Sequence, residues 1–146
     1  MERNLTVTPE LLAAFGLPQD VQATQVTTGH INDTFLLQAQ ERRLVLQRIN
    51  HFVFPSPRDI MENIQGVTEF LREKIKKQGG GPERETLTVV PTAQGESFYL
   101  DKEGNYWRCT VHIENASSHE TVGDPAMLEE AGRAFGQFQR LLCDYP

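Results

Sequence analysis

Hydrophobic and polar residues recur along this chain with two periods, which separate predicted strands from predicted helices. A short amphipathic helix begins after Thr8, which can cap its first turn. Residues 21–28, 34–40 and 43–49 then have the alternating, β-branched pattern of strands. Because only short turns separate these three segments, the pattern predicts an antiparallel meander.

The strongest helical pattern begins at Ser56-Pro57, a capping serine followed by a proline suited to the first helical position. Apolar residues then recur every three or four positions, at Ile60, Ile64, Val67, Leu71 and Ile75. Three glycines and Pro82 end the pattern. We expect this helix to pack on the sheet.

The second half of the chain predicts further strands and one more long helix. Residues 86–90 favour either one short strand or the start of a hairpin, while 97–100 and 106–112 flank a polar turn and favour a hairpin. Residues 114–123 are polar and predict a linker, and Asp124-Pro125 begins an apolar helix. Together these segments predict an α+β fold with about five antiparallel strands and three helices.

Composition narrows the class of protein further. The chain has 146 residues, enough for one domain, and a net charge of −6, which argues against a dedicated nucleic-acid-binding protein. No apolar run approaches the length of a membrane span, and no secretory signal is visible, so we expect a cytoplasmic protein without a membrane partner. Cys109 and Cys143 lack metal-ligand spacing, and we expect both to be reduced.

No common catalytic motif is present, neither a phosphate-binding P-loop nor a serine elbow nor a His-Glu-x-x-His segment. The order of the predicted elements is more informative, because it matches the amino-terminal lobe of a kinase. In such a lobe a small-residue turn between the first strands covers the nucleotide phosphates. A cation on the third strand neutralises phosphate charge, and a helix residue holds that cation.

Several short segments carry a resemblance to a known family. They are 29–35, 44–50, Phe54-Pro55 leading into 61–64, 106–108 and 131–138. In this order and spacing, the chain resembles the aminoglycoside phosphotransferase (choline kinase-like) superfamily. It is most similar to the N-acetylhexosamine 1-kinase branch, some members of which are labelled mucin-desulfation proteins. The resemblance spans nearly the whole chain from Val21.

The resemblance implies a protein kinase-like fold in four parts. Residues 1–20 would be an N-terminal helical segment, 21–113 the N-lobe, 114–123 the hinge and 124–146 the first helix of a C-terminal lobe. Members of the family place a catalytic Asp in a His-x-Asp-x-x-x-x-Asn segment of the second lobe, followed by a metal-binding Asp. Neither segment occurs here, so we expect an N-lobe fragment that is inactive alone.

The resemblance also implies an ATP site. Gly29, His30, Ile31 and Asn32 would form the turn over the phosphates, and Arg48 would be the cation of the third strand. Its partner on the helix would be Glu62 or Asn63. The backbone of His112, Ile113 and Glu114 would meet the adenine at the hinge.

The implied activity is transfer of the ATP γ-phosphate to a sugar hydroxyl, most simply the anomeric hydroxyl of an N-acetylhexosamine. ATP and Mg²⁺ are the implied cofactors, with the metal ligands in the second lobe. Two other interpretations stay open. One is a noncatalytic nucleotide-binding or protein-interaction module derived from this lobe. The other is an unrelated α+β interaction domain that self-associates through its last helix, and the acceptor substrate stays open as well.

Overall fold

A computed structural model describes residues 5–29, 31–119 and 121–146. These residues form two compact units. The first unit comprises the described residues up to Gln65 together with 87–112, and the second comprises 66–86 and the described residues from 113 onward. The described residues of the predicted N-terminal helical segment belong to the first unit.

The described residues contain four helices and six strands. In chain order they are α1 (Pro9–Ala14), β1 (Gln22–Val26), β2 (Asp33–Ala39), β3 (Arg42–Ile49), α2 (Pro57–Lys77), α3 (Pro82–Glu85), β4 (Val89–Val90), β5 (Tyr99–Leu100), β6 (Tyr106–Val111) and α4 (Pro125–Leu141). The expectation of a mixed fold with an antiparallel sheet is confirmed. The unpredicted element is α3, a single turn in which Gly81 caps and Pro82 opens a new helix directly after the glycines that end α2.

The sheet of the first unit is open and antiparallel, with the strand order β1-β2-β3-β6-β4 and with β5 also paired to β6. Two neighbouring rows of register partners cross its centre. One row is Asp33, Arg48 and Trp107, and the next is Thr34, Gln47 and Arg108. Because successive side chains of a strand point to opposite faces, these two rows lie on opposite faces of the sheet.

The first face of the sheet, defined by the row with Trp107, carries the apolar core. Leu37, Leu44 and Leu46 are buried there, and α1 packs on them through Leu11 and Phe15. Thr8 fixes the start of α1, since its hydroxyl accepts a hydrogen bond from the amide of Leu11 at 3.2 Å. The N-terminal segment is therefore part of the core of this unit.

The second face, defined by the row with Arg108, faces the start of α2. Tyr106 points to this face because it precedes Trp107 in β6. Its ring contacts that of Phe98, and the Arg58 guanidinium of α2 lies 5.1 Å from the centre of the Phe98 ring. This chain of contacts places the beginning of α2 on the side of the sheet opposite α1.

The second unit contains the rest of α2 together with α3 and α4. Lys74 of α2 donates a hydrogen bond to the carbonyl of Leu141 at 2.8 Å and pairs with Asp144, and the rings of Phe70 and Tyr145 meet edge to face. The helix α4 begins after Asp124 as predicted, and Asp124 caps it by accepting a hydrogen bond from the amide of Ala126. No helix in the described part of the chain combines the length and hydrophobicity needed to cross a membrane.

Candidate functional site

The turn between β1 and β2 is fastened to the end of β3. The backbone amide of Asn50 donates to the side-chain oxygen of Asn32 at 2.9 Å, and the Asn50 side chain donates to the carbonyl of Ile31 at 3.2 Å. His30 lies outside the described residues. Two hydrogen bonds therefore hold this turn beside the end of the third strand. The resemblance implies that the same turn covers the phosphates, which stays a prediction.

The packing around this turn does not require a glycine at position 29. Its φ is not in the left-handed region, and an added Cβ would lie 3.7 Å from the carbonyl of Asn32 and 3.9 Å from Oγ1 of Thr34, which are ordinary contacts. The protein would therefore tolerate alanine here. The Thr34 hydroxyl is a side-chain donor close to the turn.

Arg48 is paired within the sheet. Its Nε and Nη2 atoms lie 2.8 and 2.6 Å from one carboxylate oxygen of Asp33, the residue directly opposite it on β2. Both side chains are about one-third exposed, at 32% and 37%. Asp33, which the resemblance does not single out, thus holds this cation in place.

The helix residues proposed as the partner of Arg48 are exposed on α2. Strand alternation puts Arg48 on the first face, and the first turn of α2 lies at the second face. The register of β2 and β3 supplies a carboxylate, that of Asp33, on the face that Arg48 occupies. A contact of Arg48 with Glu62 or Asn63 stays a prediction.

The three hinge residues fall at the end of β6. The amide of His112 donates to the carbonyl of Arg43 at 3.0 Å and so continues the pairing of β6 with β3. In the second unit, the carbonyl of Glu114 accepts a hydrogen bond from the Arg84 guanidinium. Ile113 lies in neither a helix nor a strand. An adenine contact by any of these three residues stays a prediction.

The row across the second face forms a polar network that the sequence does not reveal. Arg108 Nε donates to Oε1 of Gln47 at 2.9 Å, and Nε2 of Gln47 donates to Oγ1 of Thr34 at 3.1 Å. Burial lowers the pKa of the half-buried Arg108 guanidinium from its usual value, but arginine stays charged at neutral pH. Within the described part of the chain, Gln47 is its only hydrogen-bonding partner.

A concavity lies beside α1, with a volume of about 760 Å³ and a lining that includes Glu10, Asp101 and Trp107. Burial acts to raise the pKa of Asp101, but hydrogen bonds from Trp107 Nε1 and from the amides of Asn105 and Glu103 outweigh it and hold that pKa below its usual value. The Asp101 carboxylate thus already accepts hydrogen bonds from three groups of the protein. The lining holds three acidic side chains, those of Glu10, Asp101 and Glu103, against one lysine, Lys102, which makes this concavity a poor place for an anion.

Metal and thiol chemistry find little support in the described residues. They contain no group of three or more His, Cys, Asp or Glu side chains that could hold a metal ion. Burial raises the pKa of the Cys109 thiol to about 12, so it stays protonated and unreactive at neutral pH. No protein-family model matches this chain.

Proposed function

We propose that this chain is the ATP-binding lobe of a small-molecule kinase that transfers the γ-phosphoryl group of ATP to a sugar hydroxyl, with the anomeric hydroxyl of an N-acetylhexosamine as the acceptor. One structural observation carries the proposal. The β1–β2 turn is tied to the end of β3 by Asn32 and Asn50, beside an open antiparallel sheet whose next helix begins at the second face. This is the arrangement that a phosphate-covering turn needs.

The ordered resemblance of the segments around Gly29, Arg48 and Asn63 supports the same assignment. The turn would cover the phosphates, and the lack of a side chain at Gly29 would let backbone amides approach them. The stretch after β6 would offer backbone groups to the adenine. Mg²⁺, brought with the nucleotide, would spread the negative charge that develops on the phosphoryl oxygens.

The contribution of these 146 residues to the proposed reaction is binding. Transfer needs a carboxylate that orients the attacking hydroxyl, and the family places this Asp in a His-x-Asp-x-x-x-x-Asn segment. None of the four histidines in the sequence begins such a segment. The function to test on this chain is therefore nucleotide binding, and the identity of the acceptor belongs to the whole kinase.

Calorimetric titration of the chain with ATP and Mg²⁺ tests this function. We expect saturable binding that ADP competes away and that Gly29→Ala weakens about tenfold, because its methyl group enters the space left for the phosphates. Gly132→Ala is the matched control, since a Cβ at that exposed position of α4 meets nothing within 4 Å. Absence of saturable heat when the folded, unaltered chain is titrated with millimolar ATP would overturn the proposed function.

Self-association is a second candidate function, favoured by the exposed apolar face of α4. Leu128, Phe135 and Phe138 are 60%, 72% and 44% exposed, and α4 has no buried residue. Apolar side chains grouped in this way commonly mark a contact surface. Sedimentation without nucleotide should then give dimers at higher protein concentration and monomers for Phe135→Ser, whereas a concentration-independent monomer would exclude this function.

A further inference from the structure

We propose that Arg108, positioned by Gln47 and assisted by the Thr34 hydroxyl, is the cation that binds the phosphate groups of a ligand at the second face of the sheet. The proposal deepens the proposed function and rests on it for the identity of the phosphate-bearing ligand as a nucleotide. It assigns the phosphate-binding charge to β6, whereas the resemblance implies Arg48 of β3.

The hydrogen bonds in this row fix which atoms are left for a ligand. An arginine can only donate, so Gln47 must turn its carbonyl oxygen toward Arg108 and its NH₂ group toward Thr34. The Thr34 oxygen accepts that bond, and its own proton makes no hydrogen bond to another described residue. The terminal nitrogens of Arg108 make no other hydrogen bond in the described part of the chain.

The spacing of the row suits an anion with several oxygens. Thr34, Gln47 and Arg108 are register partners on three adjacent strands, so the backbones at the two ends of the row lie about 10 Å apart. The Thr34 hydroxyl also lies 3.9 Å from the position that a Cβ on Gly29 would take. The covering turn and the row of donors thus lie close together, as binding to a chain of phosphates requires.

The charge balance of the row points to an anionic ligand. Arg108 is half-buried, and its only hydrogen-bonding partner among the described residues is a neutral amide. A partly desolvated positive charge without a carboxylate is unfavourable, and an anionic ligand would relieve that cost. A guanidinium matches phosphate oxygens because its donors form a planar fork.

Arg48 provides the comparison that makes the assignment specific. Its Nε and Nη2 atoms already contact Asp33, so a phosphate would have to compete with a bound carboxylate. It also lies on the first face, in the same row as the buried Trp107. Arg108 meets neither obstacle.

Two matched substitutions test the proposal, Arg108→Met and Arg48→Met, each removing one guanidinium while keeping an apolar stem of similar length. The measurement is the affinity for ATP with Mg²⁺, and then for inorganic tripolyphosphate, by calorimetric titration. We expect Arg108→Met to weaken both affinities about tenfold or more, as the loss of a charge-assisted hydrogen bond does. Arg42→Met, at an exposed position of β3, is the control for loss of one positive charge.

The outcomes distinguish failure of the Arg108 assignment from failure of the proposed function. Unchanged affinity in folded Arg108→Met, with weaker binding in Arg48→Met, would overturn this inference and leave the proposed function standing. Equal weakening by Arg108→Met and Arg42→Met would reduce the effect to net charge and would also overturn it. Absence of binding by the unaltered chain would instead overturn the proposed function. If tripolyphosphate binds as ATP does, the row recognises the phosphates rather than the nucleoside.

Discussion

Each face of the sheet carries an arginine, and the two arginines have partners of different charge. On the first face Arg48 forms an ion pair with Asp33, which lies opposite it on β2. This pair lies on the same face as the core of leucines and Trp107. On the second face, one position along each strand, Arg108 is held by the neutral side chain of Gln47. The comparison shows that the strand register gives one arginine a carboxylate partner and the other a neutral amide.

The difference also separates stability from binding. The Asp33–Arg48 pair joins β2 to β3, so removing either charge leaves a partly buried partner without compensation. Arg108 has no such partner to lose within the described residues. We therefore expect the first face to control unfolding and the second face to control phosphate binding.

The largest expected effect is the loss of stability when a core side chain of the first face is removed. Leu37→Ala removes a fully buried side chain from the core and should lower the free energy of unfolding by about 2–5 kcal/mol. Leu100→Ala is the control, because Leu100 is 47% exposed in β5. Urea denaturation measures both, and a similar loss for the two variants would contradict the placement of the core.

An intermediate effect compares the two arginines. Arg48→Met should lower the free energy of unfolding by about 1 kcal/mol, since the pair is well aligned but one-third exposed. Arg108→Met should leave it unchanged or raise it, because an uncompensated, half-buried charge is replaced by an apolar group. The measurement is urea denaturation at low ionic strength, and a larger loss for Arg108→Met would contradict the comparison.

The smallest expected effect concerns acid stability at the first face. The pKa of Asp101 is held below its usual 3.8, so its folded-state hydrogen bonds stabilise the protein above that pH. This stability is lost as the pH falls from near 3.8 through the lower folded-state pKa. Asp101→Asn should therefore show a shallower fall in stability than the unaltered chain in acid urea titrations, and identical pH profiles would contradict the assignment.

Much of the fold follows from local sequence signals. Thr8 caps α1 as predicted, α4 begins after Asp124, and the glycines after Lys77 end α2, because caps and breakers act within a few residues. The three-stranded meander and the hairpin of β5 with β6 also follow from alternation and short turns. The helix α3 was not predicted, since a glycine run and a proline signal an ending as readily as a new start.

The candidate site follows from the sequence less well, because it depends on pairing between distant residues. Arg48 and Asp33 are 15 positions apart, and Arg108 and Gln47 are 61 apart. Only the register of β2, β3 and β6 places these residues opposite one another. Alternation within β3 could have shown that Gln47 and Arg48 face opposite sides, but not which side α2 would take.

The most direct test follows the guanidinium groups of Arg48 and Arg108 by nitrogen-15 nuclear magnetic resonance as ATP and Mg²⁺ are added. The account predicts that the Nε–H signal of Arg108 shifts progressively and saturably with ATP. The signals of Arg48 Nε–H and Trp107 Nε1–H, both on the first face, should stay in place. A shift of the Arg48 signal with a stationary Arg108 signal would contradict the account.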